Sequence, residues 1–259
     1  MGLVGVIADD LTGAMDAGMQ LIGKNLRICT ALTAEDLESV IDGADVVVVN
    51  TQSRNIDPQQ AYGNVKAVVR QLVTSGCQAW YKKIDSTLRG NVGAEIKAVL
   101  DSQIFDLVIV APALPFNKRT TVGGIHFVDG VKLAEIELAK DPFAPIYHSA
   151  IAEIINSQFA AQIGHLELAA VREGGKALAQ KAAEYLASEV KIVVADAESE
   201  QDLHNIATAA RLLPCKTLLC GSAGLFQYLD EAYPIPASQG DQTTGLRMAD
   251  RREDAPAYS

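Results

Sequence analysis

The feature that most constrains the fold is a repeated alternation of short apolar runs rich in Val and Ile with longer stretches whose apolar residues recur at helical spacing. Leu3 to Ala8, Asp45 to Asn50 and Leu107 to Ala111 carry almost no interior polar residue. Strands of that kind are covered on both faces, as in a parallel sheet. Further strands are expected at Leu26 to Thr30, from Ala79 onward, and at Gly164 to Val171, Ile192 to Ala195 and Thr217 to Cys220. Between them, Ala61, Val65, Val68, Val69 and Leu72 fall on one helix face, as do Val92, Ile96, Val99 and Leu100, and again Leu178, Ala182, Tyr185 and Leu186. Met15, Gly18, Met19 and Ile22 are read as the inward stripe of the first helix, and Ala34 to Ile41, Ser149 to Ser157 and Ser199 to Leu212 as further helices. Asp57-Pro58 is a helix start, with Asp as cap and Pro at the first helical position. The succession predicts an α/β fold: a doubly wound, mainly parallel sheet with right-handed crossovers and helices on both faces.

The rhythm breaks between Ala113 and Tyr147, where Pro115, Gly123-Gly124, Gly130, Pro142 and Pro145 interrupt short apolar pieces. A long irregular connection inside a compact domain suggests a functional flap, here expected over the strand ends, or a hairpin insert. Beyond Pro234 apolar periodicity is lost, so residues 1–234 are expected to form one domain and 235–259 a mobile tail.

With 259 residues and 49% hydrophobic residues, the chain can bury a sizeable core. A formal net charge of −10 opposes nonspecific attraction to nucleic acid or anionic lipid, but not a local basic pocket for a small acid. Cys29, Cys77, Cys215 and Cys220 form no C-x-x-C pair, and the N-terminal residues lack signal-peptide character. No apolar run approaches the roughly 18 residues that span a membrane. Reduced thiols in a cytoplasm are the expectation.

The residues from Lys82 to Asn91 lie between a buried strand and an amphipathic helix, hence at a strand-to-helix turn. Such turns sit at the carboxyl ends of parallel strands, where ligands bind. Lys82, Lys83, Asp85, Ser86, Thr87 and Arg89 make this one rich in charges and hydroxyls, read as facing a small anionic, hydroxylated ligand rather than pairing along a helix face. A second acidic strand end, Asp9-Asp10, would converge on the same crevice if the two strands are neighbours. Side chains alternate along a strand, so Lys83 rather than Lys82 is expected on the side of Asp85. Arg89 suits a substrate carboxylate and an Asp suits a general base. Taken singly, Asp10, Thr12, Ser86 or Thr87 is equally well a helix cap. Lys118, Arg119, Thr120 and Thr121 with Gly123 and Gly124 form a basic segment, either solvated or closing on an anion. His126, His148, His165 and His204 show no metal-ligand spacing, so no metal site is expected. Phosphate-loop and dinucleotide signatures are absent; Gly221-Ser222-Ala223-Gly224 is a weak phosphate-friendly turn.

Several segments together resemble the four-carbon acid sugar kinases: Ile7 to Ala14, Lys83 to Glu95, Ala111 to Ala113, Arg119 to Gly123, Asp141-Pro142 and Gly221 to Leu225, in family order. The resemblance implies a two-domain enzyme whose N-terminal half binds a short sugar acid and whose C-terminal half binds ATP with magnesium. The γ-phosphoryl group would pass to a hydroxyl of a threonate, erythronate or 3-oxo-tetronate. It implies substrate binding by Asp9, Lys83, Ser86, Arg89, Arg119 and Gly123, and catalysis by Asp10 or Asp85, with Asp10 favoured as base. Ser222 and Gly224 would touch nucleotide. The chain departs from the family by lacking the nucleotide half, as if truncated or frameshifted near Pro234 to Gly240. It is then an inactive half-kinase, a sugar-acid binding module or a partner of a separate ATP-binding chain, with a homodimer also open. A phosphatase of the haloacid dehalogenase type would need D-x-D-x-T, which Asp9-Asp10-Leu11-Thr12 does not supply.

Overall fold

The computed structural model describes residues 3–21, 26–141, 145–235 and 247–248. Its strands are β1 Leu3–Ala8, β2 Ile28–Ala31, β3 Val46–Asn50, β4 Cys77–Lys83, β5 Leu107–Ala111, β6 Arg119–Val122, β7 Ile125–Val128, β8 Val131–Lys132, β9 Ile163–Leu166, β10 Ile192–Ala195, β11 Thr217–Gly221 and β12 Arg247–Met248. Nine of them form one sheet in the order β12-β2-β3-β1-β4-β11-β5-β10-β9, paired in parallel throughout. The other three, β6-β7-β8, are a small antiparallel sheet.

The helices are α1 Leu11–Gln20, α2 Leu37–Val40, α3 Pro58–Thr74, α4 Val92–Leu100, α5 Ile151–Asn156, α6 Leu168–Arg172, α7 Gly175–Ala187, α8 Glu200–Leu212, α9 Ala223–Phe226 and α10 Leu229–Ala232. They divide between two cores. On one face Ala14 and Ala17 of α1, Leu178 of α7, Ile206 of α8 and Phe226 of α9 pack with Val4, Val6, Ile109 and Val193. On the other, Leu37 of α2, Val65 and Leu72 of α3, Ile96 of α4 and Ile155 of α5 pack with Ile7, Val47, Val49 and Val108. Strand residues one apart in sequence thus feed opposite cores, which is why these strands are apolar without alternation.

Local signals set the helix starts as expected: Asp57 accepts the Gln59 N–H ahead of Pro58, and Ser199 with Asp202 forms a capping box on α8. Two sequence expectations change. The stretch Gly164 to Val171 is not one strand; β9 ends at Leu166 and Leu168 opens α6, its N–H held by Asp196 Oδ2 at 3.1 Å. The first helix does not turn its methionines inward. It buries Gly13, Ala14, Ala17 and Gly18, small residues that let α1 lie close to the sheet, while Met15 is half-buried and Met19 is 63% exposed. Ile22, the last residue of that expected stripe, lies outside the described residues. Of the two expectations for the 113–147 insert, the hairpin is found: β6 and β7 pair antiparallel, with β8 added as a third strand. Of the expected tail, 236–246 and 249–259 lie outside the described residues, and Arg247–Met248 pairs with Cys29 and Thr30 of β2. Among the described residues no helix is long and apolar enough to cross a membrane.

Candidate functional site

Strands β1 and β4 are neighbours, with Ala8 opposite Lys83. From the end of β1 the chain runs to α1 on one face, and from the end of β4 to α4 on the other. That divergence opens a crevice beyond the carboxyl ends of the strands, the position where doubly wound sheets bind ligands. It holds a cavity of about 390 Å³, whose walls include Asp10, Asp16, Arg54, Lys83, Asp85, Ser86 and Arg89. The acidic end of β1 and the Lys82 to Asn91 turn therefore do meet.

The charges are organised by Arg54, which the local sequence marks only as one polar residue beyond the end of β3. Its Nε and Nη2 donate to Asp9 Oδ2 and Oδ1 at 2.7 and 3.0 Å, a two-pronged bond, while Nη1 donates to Asp10 Oδ2. The arginine is delivered by a loop strapped over β1: Thr51 Oγ1 donates to Ala8 O at 2.8 Å, and the Ser53 and Arg54 N–H groups donate to Asp9 O. Asn91 fastens the same loop from the other side, its Nδ2 donating to Ser53 O and Ile56 O at 2.7 and 2.8 Å. Asp10 also starts α1, since its Oδ1 caps the helix by accepting the Gly13 N–H at 2.7 Å. No short-range pattern announces Arg54, because its partners lie more than forty residues away; a polar end on the strand beside β1 is the available signal.

Asp85 and Arg89 pair with each other, contrary to the expectation that the charges of this turn face only a ligand. Arg89 Nε and Thr87 Oγ1 donate to Asp85 Oδ2 at 2.5 and 2.6 Å. Burial resists ionisation of Asp85, but the Arg89 bond, the Arg54 charge and the Thr87 hydroxyl outweigh it and hold the carboxyl at about 2. Lys83 is buried with its Nζ on Ile84 O at 3.2 Å, and burial pushes its ammonium below the ordinary value against the pull of Asp9 and Asp16. Lys82 turns the other way. Fully buried, it bonds Lys83 O and Ile7 O at 2.8 and 3.3 Å and pairs with Glu95 Oε2 of α4 at 2.7 Å, bracing the ends of β1 and β4 from behind.

The remaining expected residues are not on the walls of this cavity. Arg119 is in β6, where its Nη1 bonds Asn117 O. Gly123 is in the β6-β7 turn, and its N–H is taken, with that of Gly124, by Asp196 at 2.8 and 2.9 Å. Asp196, buried at the end of β10, also accepts from His165 Nε2 at 2.9 Å, so it latches the insert to the main sheet. Ala223 reaches the cavity, but Ser222 and Gly224 are buried behind it. Ser222 Oγ donates to Ala113 O at 2.9 Å and accepts the Gly224 N–H at 3.1 Å. A Cβ on Gly224 would lie 2.5 Å from Ala113 O, so that glycine serves close backbone packing.

Chemically, the cavity presents three carboxylates, Asp10, Asp16 and Asp85, and three cations, Arg54, Lys83 and Arg89. Such a lining suits a small molecule carrying both an acid group and hydroxyls. A family model described as a sugar-binding N-terminal domain matches residues 4–229. The chain is 43% identical over 221 residues to a D-threonate kinase of Salmonella typhimurium, an alignment covering 85% of this chain and 51% of that protein. It is 36% identical to a D-erythronate kinase of Heliobacterium modesticaldum, covering 91% and 54%. With a 3-oxo-tetronate kinase of Brucella melitensis it shares 31% identity, covering 89% and 53%. Among solved structures, a Haemophilus influenzae protein from a family of unknown function superposes with a TM-score of 0.78 at 27% identity, covering 92% of this chain and 57% of that one. A Bordetella bronchiseptica domain of unknown function, solved with bound citrate as a domain-swapped dimer, gives 0.76 at 29% identity, covering 88% and 56%. The chain spans about half the length of the curated relatives it matches.

Proposed function

The chain belongs to the family of sugar-binding N-terminal domains, and on that premise we propose that it is the acid-sugar-binding half of an ATP-dependent kinase of four-carbon sugar acids. The observation that carries this reading is the meeting of Arg54, Lys83 and Arg89 with Asp10 and Asp85 in one cavity at the divergence of β1 and β4. Kinases of threonate, erythronate and 3-oxo-tetronate among the relatives supply the substrate class. Residues 1–234 act as the sugar-acid domain. Arg89, held on one edge by Asp85, offers its remaining N–H groups to the substrate carboxylate, and Lys83 adds a second positive charge. Asp10 and Ser86 receive the hydroxyls. Asp10 is the base: its oxygens also accept from Gly13 and Arg54, but its side chain is 25% exposed, against 12% for Asp85, whose Oδ2 accepts from both Arg89 and Thr87.

ATP, when bound, supplies the phosphoryl group. Within this chain the Ser222 hydroxyl donates to Ala113 O and accepts the Gly224 N–H, and Asp9, Asp10 and Asp85 each face a guanidinium. These residues do not fit a nucleotide or magnesium site as they stand, so both are assigned to protein outside this chain. A standalone sugar-acid binding module is a second reading, favoured by a cavity whose charged lining comes from within residues 10–89 of this chain. A homodimer in a cytoplasmic setting completes the proposal, consistent with the domain-swapped Bordetella relative and with four cysteines of which no two form a disulfide.

The test is calorimetry of the purified chain with D-threonate, D-erythronate and 3-oxo-tetronate, followed by incubation with ATP and magnesium. Binding of at least one acid without phosphorylation is expected; no binding of any of them overturns the reading, and turnover by the chain alone overturns the assignment of nucleotide to another half. Arg89→Ala is expected to weaken acid binding by about 2 to 4 kcal/mol by the same calorimetry.

A further inference from the structure

His126 of β7 is fully buried, and both of its ring nitrogens are engaged. Its Nε2 lies 2.8 Å from the carbonyl oxygen of Ser86, which only accepts, so Nε2 carries the proton. Nδ1 is then an acceptor, 3.0 Å from Thr121 Oγ1 of β6, which donates. Burial pushes the imidazole down to about 4; the nearby Arg119 acts in the same sense, and the Ser86 bond and Asp85 oppose it, so the ring is neutral near pH 7. Ser86 itself lines the acid cavity, and two residues later Leu88 is held at a φ of 56°, a conformation a leucine does not choose unaided. The turn therefore needs support from outside, and the support reaches it from the insert. The insert in turn is fixed to the main sheet by Asp196 and by the exchange of N–H···O bonds between Thr121 and Ala197.

We propose that His126 is a positioning residue through which the β6-β7-β8 sheet sets the acid-binding turn: its Nε2–H anchors the Ser86 carbonyl, and Thr121 fixes the tautomer that makes this possible. The consequence for affinity rests on the acid-sugar reading above; the anchoring of the turn does not. The experiment combines amide hydrogen exchange over Thr87 to Asn91 with calorimetry of D-threonate binding, in wild type, His126→Gln, His126→Leu and Thr121→Val. Gln keeps an N–H at the position of Nε2, whereas Leu keeps bulk and loses the donor. His126→Leu is expected to speed exchange in the turn about tenfold and weaken D-threonate about tenfold, with amides of β5 unchanged. His126→Gln should return both within about threefold of wild type. Thr121→Val frees the ring to put its proton on Nδ1 and should speed turn exchange severalfold, which provides the readout if His126→Leu does not fold. Wild-type exchange in the turn of the Leu variant, or of the Val variant where Leu does not fold, overturns the anchor. Faster exchange with unchanged affinity overturns the claim that the anchor sets binding. Absence of D-threonate, D-erythronate and 3-oxo-tetronate binding by wild type with a normal exchange response overturns the acid-sugar reading alone.

Discussion

Arg54 concentrates the electrostatics of the crevice in one side chain, since it neutralises Asp9 with two bonds and reaches Asp10 with a third. Asp9 is 2% exposed, so removing its partner leaves an ionised carboxylate with little water. Arg54→Ala is expected to cost about 3 kcal/mol of stability, measured by urea denaturation. Two other groups give the protein an acid-side weakness. The His126 imidazole titrates near 4 in the folded protein against an ordinary 6.5, so the unfolded chain takes up its proton first. Stability is complete above 6.5 and falls as pH drops toward 4, by at most about 3 kcal/mol. Asp85, at about 2 against 3.8, adds stability that is present above 3.8 and lost as pH falls through 2, worth about 2 kcal/mol. His165, raised by its bond to Asp196, acts oppositely, adding stability on the acid side that fades as pH rises through its elevated value. Thermal midpoints across pH 3 to 7 for wild type and His126→Gln separate the His126 contribution: the loss between about 6.5 and 4 should shrink in the variant.

At the scale of elements, the turn from Asp85 to Asn91 is a shaped connection whose form is dictated by what it must touch. Gly90 sits at a φ of 93°, and a Cβ there would lie 2.9 Å from both Cγ and the carbonyl oxygen of Arg54. Gly90→Ala therefore meets an unfavourable backbone and a backbone atom that cannot step aside, a cost of about 1 to 3 kcal/mol by denaturant midpoint. The same pressure on Arg54 should loosen its bond to Asp10. Strand and helix existence in this region is legible from the sequence, because Val92, Ile96 and Val99 repeat at helical spacing and all three are buried. The methionine stripe expected of α1 fails for the converse reason: periodicity locates a face only to within a residue, and glycines and alanines, which carry little weight in an apolar count, take the close contact with the sheet.

Asp196 helps hold the molecule as one unit across its two sheets, receiving N–H groups from Gly123 and Gly124 in the insert and Leu168 in α6, and a bond from His165 in β9. Asp196→Ala is expected to cost at least about 2 kcal/mol and to open the 113–147 insert to protease while the main sheet stays protected, as limited proteolysis with mass spectrometry will report. Nothing in the local sequence marks that aspartate, since its partners come from two distant stretches, residues 123–124 and 165–168. What the sequence determined by itself was the class of fold and the chemistry gathered at two strand ends. Apolar runs of strand length, helical spacing and capping residues act over a few positions, and they can be read wherever they occur. Only the tertiary structure decided which strand lies beside which, and hence that β1 and β4 are adjacent, that Arg54 reaches both aspartates and that His126 meets Ser86. Those contacts join residues about forty positions or more apart, and their energy depends on a burial and geometry that exist only once both cores have closed.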